Sequence, residues 1–206
     1  MDSQHYFSEQ PSGTAVRRPL EVVLNGKERQ LQTTSGIFSP GGVDKGTAVL
    51  LSEVPDPPLR GNLLDIGCGW GPLALTMALK SPEALITAVD VNGRSVALTT
   101  DNARALGLDN VLACKPEDVD SKTMFNTIWS NPPIRVGKEE LHSLLTRWLP
   151  RLAPDGTAWL VVQKNLGADS LQRWLADELG HNWSVIRFRT AKSFRILKVT
   201  RTSAPA

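Results

Sequence analysis

Short apolar runs alternate with segments of helical apolar spacing from residue 62 to the end of the chain. A short apolar run bounded by turn residues is typical of a buried strand, whereas apolar residues at i, i+3, i+4 and i+7 mark one face of a helix. The runs predict strands at Leu63–Ile66, Leu85–Val89, Val111–Ala113, Phe125–Trp129, Ala158–Val162, Val185–Arg189 and Phe194–Val199.

Helices are predicted before and between these strands, with apolar faces in residues 43–54, 72–79, 94–106, 141–152 and 171–179. Repeated strand–helix units imply an α/β fold with an open, mainly parallel sheet of about seven strands and helices on both faces. No helix separates the last two strands, so we expect them to pair antiparallel at one edge of the sheet.

The first 42 residues form a separate unit in this interpretation. Leu20–Leu24 and Arg29–Thr33 flank Asn25-Gly26, which is a strong signal for a two-residue hairpin turn. The chain therefore divides into a tail with a small N-terminal β-hairpin extension (1–42), the α/β domain (43–201) and a short tail (202–206).

The amino-acid composition limits which kinds of protein this chain can be. The chain has 206 residues, 41% hydrophobic and 21% charged, as is ordinary for a globular protein. Its two cysteines cannot make a disulfide framework or a four-cysteine zinc site, and no spacing of the three histidines predicts a metal. With no apolar stretch of about 18 residues and no signal-peptide core, we expect a cytoplasmic protein without a membrane partner.

The charge is uneven along the chain. Residues 1–130 hold 11 Lys and Arg against 15 Asp and Glu, and residues 131–206 hold 12 against 6, for a net charge of +2. Six of these cations lie near the C-terminus: Arg187, Arg189, Lys192, Arg195, Lys198 and Arg201. A basic C-terminal face of this kind suits a polyanion such as RNA. The alternative is a solvated strand pair.

Glycines and polar residues follow the carboxyl ends of four predicted strands, where open α/β sheets bind ligands. The four ends read Asp65-Ile66-Gly67-Cys68-Gly69-Trp70-Gly71, Asp90-Val91-Asn92, Pro116-Glu117-Asp118 and Ser130-Asn131-Pro132-Pro133. Alternate glycines let a ligand approach the backbone where a Cβ would block it. Asp90 follows Gly71 by 19 residues, about where an acid binds ribose hydroxyls in nucleoside sites.

Two classes of cofactor compete for the glycine loop. A pyrophosphate dinucleotide such as NAD favours G-x-G-x-x-G, but Pro72 occupies the position of the third glycine, and Asp65 would repel the phosphates. S-adenosylmethionine carries no phosphate, and its amino group is a cation that a carboxylate binds. The charge of Asp65 favours S-adenosylmethionine, with an NAD-dependent oxidoreductase as the weaker alternative.

The end of the fourth strand offers two fixed hydrogen-bond acceptors, the Asn131 side-chain oxygen and the Pro132 carbonyl. Two acceptors at one point suit a planar N–H2 group held with its nitrogen towards an electrophile. The sulfonium is already a strong electrophile, so the protein mainly has to align nitrogen, methyl group and sulfur. Such alignment lowers a barrier by up to about 7–11 kcal/mol, and no strong base is needed.

Two further motifs precede the first strand of the sheet, Phe38-Ser39 and Val43-Asp44-Lys45-Gly46-Thr47. With the glycine loop, Asp90 and Asn131-Pro132-Pro133, they resemble those of Rossmann-like class I S-adenosylmethionine-dependent methyltransferases. Within this class the chain is similar to the small-methyltransferase-domain family, which includes ribosomal RNA guanine-N2 methyltransferases and single-domain archaeal relatives. The likeness runs from about residue 36 to 199. It implies methyl transfer to a planar exocyclic amine, foremost guanine N2 in structured ribosomal RNA.

The resemblance also implies roles for residues at matching positions. Asp65, Gly67 and Gly69 would contact the methionine part of the cofactor, Asp90 the ribose and Asp118 the adenine amine. Asn131, Pro132 and Pro133 would form the catalytic motif, with Asn131 also beside the cofactor. Residues expected at the substrate are Phe38, Ile134, Arg135 and Phe194.

One departure concerns the base. In nucleobase enzymes of this kind an aromatic residue commonly follows the two prolines and stacks on the base, but in this chain that position holds Ile134. Stacking is worth roughly 1–3 kcal/mol per base, so Phe38, Trp70 or Phe194 would have to replace it. Two alternatives therefore stay open: an enzyme for another amine or amide, such as a protein glutamine, and a non-catalytic RNA-binding module.

Overall fold

The computed structural model describes residues 15–202. A seven-stranded sheet with helices on both faces makes up most of these residues, and a separate two-stranded sheet precedes it. The predicted tail residues 1–14 and 203–206 lie outside the described residues.

Nine strands and five α-helices are found within residues 15–202. The strands are β1 (Arg17–Leu24), β2 (Lys27–Thr34), β3 (Arg60–Ile66), β4 (Glu83–Val89), β5 (Val111–Cys114), β6 (Phe125–Ser130), β7 (Leu152–Gln163), β8 (Trp183–Ala191) and β9 (Phe194–Arg201). The helices are α1 (Lys45–Glu53), α2 (Pro72–Lys80), α3 (Gly93–Ala105), α4 (Lys138–Trp148) and α5 (Ala168–Leu179).

The large sheet has the order β5-β4-β3-β6-β7-β9-β8. Strands β3 to β7 are parallel, and β9 pairs antiparallel with both β7 and β8. The predicted fold class is confirmed, including the antiparallel pair at one edge. The strand order reverses between β3 and β6, so the carboxyl ends of these two strands flank the point at which such sheets bind ligands.

Both faces of the sheet are buried, which explains the continuous apolar runs of its strands. Leu64 packs on one face with Leu145 of α4 and Leu171 of α5. Its neighbour Leu63 packs on the opposite face with Leu73 of α2. The two layers of helices hold β3 and β6 firmly beneath the loops at their ends.

The N-terminal hairpin is confirmed and packs against the main domain. Asn25 and Gly26 both have positive φ, 50° and 71°, as a two-residue hairpin turn requires. Leu20 and Leu31 of the hairpin pack against Leu75 of α2, together with Trp70 from the glycine loop. The hairpin therefore lies beside the loop that follows β3.

One predicted boundary was wrong. Residues 141–152 were expected to form one helix, but α4 ends at Trp148, a 3-10 turn covers Leu149–Arg151, and Leu152 already belongs to β7. Pro150 has no N–H and its ring obstructs a continuing helix, so the apolar residues beyond it belong to the strand. No helix within residues 15–202 is long and apolar enough to cross a membrane.

Candidate active site

A cleft opens to solvent at the carboxyl end of β3. Its walls are the glycine loop, the segment before α1 and the end of β6. Six of the candidate residues from the sequence line it: Phe38, Asp65, Gly67, Gly69, Trp70 and Asn131. Asp44 and Thr47, from the motif before the first strand of the large sheet, line it as well. The structure thus brings the β3 and β6 motifs to one cavity.

Asp65 is the most buried polar group of this cleft, with no exposed surface. Its Oδ2 accepts a hydrogen bond from the Ala74 N–H at 3.0 Å, in the first turn of α2. Its Oδ1 is buried and has no hydrogen-bond partner among the described residues. Burial, with the nearby Asp90 charge, raises the pKa of Asp65 to about 8. An unpartnered buried oxygen in a cavity fits a cationic ligand group.

Asp90 holds the glycine loop in place. Its Oδ2 accepts from the Gly69 N–H at 3.0 Å, and its Oδ1 accepts from the Asn92 N–H at 2.9 Å. Burial raises the pKa of Asp90 above the ordinary aspartate value, against the effect of these hydrogen bonds. Each carboxylate oxygen has a further lone pair, so Asp90 can bind the loop and a ligand hydroxyl together.

The loop conformation depends on Gly71, which precedes α2 with a φ of 97°. A Cβ at this position would lie 3.1 Å from the Leu75 side chain and 3.2 Å from that of Thr99. Gly67, by contrast, has a φ of 79° and open space where its Cβ would be. Gly71 therefore serves the packing of the loop, and Gly67 borders the cavity.

Asn131 directs its amide nitrogen towards the start of α1. Nδ2 donates to Asp44 Oδ2 at 2.8 Å and to the Thr47 hydroxyl at 3.1 Å. Asp44 caps the N-terminus of α1 with the same oxygen, which accepts from the Gly46 N–H at 2.7 Å. The Asn131 oxygen Oδ1 lies 3.2 Å from the position that a Gly46 Cβ would occupy. The asparagine amide faces α1 and is not turned into the core.

The residues after Asn131 are arranged in a tight turn. The Pro132 carbonyl accepts from the Ile134 N–H at 2.8 Å, which leaves the second lone pair of that oxygen for a ligand. Pro132 is buried and Pro133 half-buried. Ile134 packs against the core on the α4 face, whereas Arg135 is exposed.

The candidate aromatic residues differ in accessibility. Phe38 is 41% exposed and lines the cleft. Phe194 is half-buried, with its ring edge 3.0 Å from the position of a Gly46 Cβ. Trp70 is only 1% exposed and donates from Nε1 to the Gly42 carbonyl at 3.3 Å. The expectation that Trp70 could stack on a base is therefore wrong, because its ring fills the core under the hairpin.

Asp118 does not line the cleft. It ends a 3-10 turn, Pro116–Asp118, after β5 and is exposed. A second, open groove of about 760 Å³ runs from Val91 and Pro116 to the side chains of α4. Asp118 thus follows β5, which β4 separates from β3 and its glycine loop.

The six C-terminal cations do not lie on one face. Register places Arg187, Arg195 and Arg201 on the α5 side of the sheet, and Arg189 and Lys198 on the α1 side. Arg189 pairs with Glu53 at 2.9 Å, Arg195 pairs with Asp169, and Arg201 donates to the Leu152 carbonyl at 2.7 Å. Side chains alternate along a strand, so a run of cations in the sequence becomes two sets in space.

The contacts of several supporting residues were not predicted from the sequence. Asn92 is fully buried and donates from Nδ2 to the Gly36 carbonyl at 2.7 Å. Asn102 donates to the Gln32 carbonyl at 3.0 Å and to the Trp70 carbonyl at 2.9 Å. The partners of Asn102 lie 70 and 32 residues away, so no local pattern marks it. For Asp44 a signal existed, since an aspartate before a helical segment is typical of an N-cap.

The Cys68 thiol has a structural role in this cleft. The Cys68 thiol accepts from the Thr99 hydroxyl at 3.4 Å, and burial raises its pKa well above the ordinary thiol value. A neutral, buried thiol does not act as a nucleophile. Among residues 15–202, no three His, Cys, Asp or Glu side chains lie together as a metal site requires.

Comparison with known families gives one match over most of the chain. The model described as methyltransferase small domain matches residues 28–198. The uncharacterized protein YbxB of Bacillus subtilis (strain 168) is 35% identical over 202 residues, which cover 97% of this chain and 99% of that protein.

Named relatives are matched over a smaller part. The ribosomal RNA small subunit methyltransferase C of Photorhabdus laumondii is 38% identical over 126 residues, 61% of this chain and 36% of that protein. The protein of the same name from Aliivibrio salmonicida is 34% identical over 60% of this chain and 36% of its own length. The chain thus matches 36% of the length of both of these relatives.

Two solved structures illustrate the fold. The T. thermophilus 16S rRNA N2 methyltransferase RsmC, in complex with AdoMet and guanosine, superimposes with a TM-score of 0.75 at 23% identity. The match covers 94% of this chain and 52% of that one. A ribosomal protein L11 methylase from Lactobacillus delbrueckii subsp. bulgaricus matches with a TM-score of 0.60 at 18% identity, over 89% of this chain.

Proposed function

The chain belongs to the methyltransferase small domain family of S-adenosylmethionine-dependent enzymes, and we propose that it methylates the exocyclic N2 amine of a guanine in ribosomal RNA. The observation that carries this proposal is the shared cleft: Asn131 at the end of β6 and Asp65 with the glycine loop at the end of β3 line one cavity. The names of the relatives, which are ribosomal RNA methyltransferases, support RNA as the substrate.

The residues of the cleft fit the cofactor. The Oδ1 of Asp65 suits the cofactor's amino group, because this buried oxygen has no hydrogen-bond partner among the described residues. Gly67 has open space where a side chain would begin, which leaves room for the methionine part. Asp90, which binds the Gly69 N–H of the glycine loop, suits the ribose hydroxyls. Asp118 lies outside the cleft, after β5, and would meet the adenine amine only where the cofactor extends past β4. When bound, the cofactor supplies an electrophilic methyl group on a positively charged sulfur.

For the reaction itself, the chain's residues position the amine. The Asn131 oxygen and the Pro132 carbonyl each accept a hydrogen bond from one N–H of the target amine. The amine is thereby held with the lone pair of its nitrogen towards the methyl group. A nitrogen–carbon bond then forms as the carbon–sulfur bond breaks, its electron pair remains on sulfur, and a proton leaves the nitrogen to water. Neutral acceptors on the N–H groups stabilise the positive charge that develops on nitrogen.

On the substrate side, Phe38 and Phe194 border the same region as Asn131 and supply the aromatic surface that Ile134 cannot. Arg135, exposed beyond Ile134, suits an RNA phosphate. These assignments make the region around α1, β6 and β9 the binding site of the guanine.

The test is methyl transfer from labelled cofactor to an unmodified small-subunit ribosomal RNA transcript. We expect Asn131→Ala to lower the transfer rate by about 100-fold or more, because misplacement of a reacting group by about 1 Å has that effect. The matched control is Asn126→Ala, at the opposite end of β6, where the side chain accepts from the Asn62 N–H at 3.0 Å.

The control should keep wild-type transfer. If Asn131→Ala does so too, Asn131 does not hold the target amine. Labelling of ribosomal protein in place of RNA would point to a glutamine amide in the same acceptor pair.

A further inference from the structure

We propose that Asp44 and Thr47 are positioning residues that fix the Asn131 amide with its oxygen as the group offered to the substrate. This inference rests on the proposed function, since it concerns the same asparagine. It also assigns a role to the Asp44–Thr47 motif, which has none in the proposed contacts with the cofactor.

The contacts around Nδ2 carry the argument. An asparagine amide nitrogen has two hydrogens, and here one points to Asp44 Oδ2 at 2.8 Å and the other to Thr47 Oγ1 at 3.1 Å. Thr47 is 3% exposed, so solvent cannot readily replace it as an acceptor. With both hydrogens satisfied, the amide oxygen is the polar atom that remains for a ligand.

Asp44 decides which way the amide is turned. A carboxylate only accepts hydrogen bonds, so an amide flipped by 180° would place its oxygen against another oxygen. Asp44 cannot turn away, because the Gly46 N–H, at 2.7 Å, and the Thr47 N–H, at 3.3 Å, hold the same Oδ2 at the start of α1. The helix N-terminus anchors the carboxylate, and the carboxylate anchors the amide.

This arrangement determines the class of substrate. An amide that presents only its oxygen accepts hydrogen bonds and donates none, so the cleft selects a target with N–H donors. An exocyclic amine meets this requirement, and a carbonyl or an unprotonated ring nitrogen does not. A flipped Asn131 would select the opposite chemistry.

Variants of Asp44 separate orientation from capping and from charge. Asp44→Ser keeps a good N-cap, but its side chain is too short to reach Asn131. Asp44→Asn keeps one oxygen in the position of Oδ2 and removes the charge. Thr47→Val removes the second acceptor at nearly constant volume, and Thr47→Ser retains it.

We expect Asp44→Ser to lower kcat for the ribosomal RNA transcript by about 10- to 100-fold, since a loosely oriented acceptor loses much of the benefit of alignment. Thr47→Val should lower kcat less, and the conservative variants Asp44→Asn and Thr47→Ser should rescue most of it. Affinity for the product cofactor, measured by calorimetry, should fall less in Asp44→Ser and Thr47→Val than in Asp65→Asn, because these two residues line the same cleft but leave Asp65, Asp90 and the glycine loop untouched.

A second readout does not depend on turnover. The side-chain N–H2 signal of Asn131, assigned by its loss in Asn131→Ala, should exchange slowly with solvent in the wild type. It should exchange at least about tenfold faster in Asp44→Ser and change little in Asp44→Asn. Fast exchange in the wild type would overturn the proposed orientation, whatever the substrate is.

The outcomes are distinguishable. Loss of transfer in Asn131→Ala with unchanged kcat in Asp44→Ser overturns the positioning role and leaves the proposed function intact. An equal loss in Asp44→Asn and Asp44→Ser shows that the charge of Asp44 matters, and likewise overturns it. Wild-type transfer in Asn131→Ala shows that Asn131 does not hold the target amine, and absence of transfer to RNA by the wild type contradicts the proposed function; in either case slow exchange that speeds up only in Asp44→Ser still supports the orientation.

Discussion

Burying an aspartate at a strand end costs free energy, and in this cleft the buried Asp65 carboxyl has one oxygen without a hydrogen-bond partner. Asp65 is fully buried, its Oδ1 is unpartnered among the described residues, and its pKa is raised to about 8. A carboxyl group in this state is mostly protonated at neutral pH and ionises when a cation is brought beside it. If the cofactor's amino group binds Asp65, as proposed, its binding is coupled to release of a proton at this residue.

The coupling predicts that cofactor affinity rises with pH up to about 8. Below this pH, the Asp65 carboxyl of the free protein and the free cofactor amino group are both protonated, while their ion pair holds one proton fewer. Binding then releases a proton, and affinity rises by up to about tenfold per pH unit. Above about pH 8 the Asp65 carboxyl is already ionised in the free protein, so the rise levels off.

Calorimetry with the product cofactor between pH 6 and 9 measures this dependence. Asp65→Asn should weaken binding and remove the rise below pH 8, because an amide neither ionises nor pairs with the amine as a charge. A wild-type affinity that is flat from pH 6 to 8 would contradict the assigned role of Asp65.

The sequence was sufficient to identify Asp65, the glycines and Asn131 as candidates, because each lies at or just after the carboxyl end of a strand that the apolar pattern predicts. It did not give the raised pKa of Asp65, since burial depends on how α2 packs over β3. The sequence also did not predict the contact between Asn131 and Asp44, because these two residues are 87 positions apart in the chain.

At the scale of elements, the N-terminal hairpin is tied to the glycine loop through α3. Asn102 of α3 is fully buried; it accepts from the Gln32 N–H at 2.9 Å and donates to the carbonyls of Gln32 and Trp70. Trp70 in turn fills the core beneath the hairpin. One side chain thus links β2 to the loop that borders the cofactor cleft.

We therefore expect Asn102→Ala to weaken cofactor binding as well as the fold. Buried backbone groups left without partners cost about 1–3 kcal/mol each, so the free energy of unfolding should fall by at least about 2 kcal/mol. The control is Asn110→Ala, which also loses two hydrogen bonds to backbone carbonyls, those of Ser81 and Ala84.

Thermal unfolding and calorimetry distinguish the two variants. Both should be less stable, but only Asn102→Ala should bind the product cofactor more weakly at a temperature where it is folded. Equal cofactor affinity in the two variants would mean that the hairpin does not support the loop.

Element types were more predictable than their ends. The hairpin turn at Asn25-Gly26 and the alternation of strands and helices are encoded locally. The end of α4 was not, because the apolar spacing continues through Pro150 to Leu152, and only the missing N–H of the proline marks the change from helix to strand.

At the scale of the whole molecule, the distribution of cations limits how RNA can bind. Arg195 is 7% exposed and paired with Asp169, and Arg189 and Arg201 have partners within the protein. Arg187 and Lys192 are exposed on the edge hairpin of β8 and β9. The positive surface available to RNA is smaller than the sequence implies.

Arg187→Gln should therefore weaken RNA binding and reduce the slope of log affinity against log salt by about 1, as loss of one phosphate contact does. Arg195→Gln removes the same charge but should leave the slope unchanged and lower stability, because its guanidinium is buried. Filter binding from 50 to 200 mM salt tests both. An equal loss of slope in the two variants would show that Arg195 reaches RNA.

Under the proposed function, the cleft between β3 and β6 delivers a methyl group to an N–H2 of ribosomal RNA that Asn131 holds. Mass spectrometry tests this directly on nucleosides from a small-subunit ribosomal RNA transcript, incubated with the protein and cofactor carrying a deuterated methyl group. We expect deuterated N2-methylguanosine with the wild type and about 100-fold less with Asn131→Ala. Label on a ribose or a ring carbon would contradict the proposed reaction, and an equal yield from both proteins would contradict the role of Asn131.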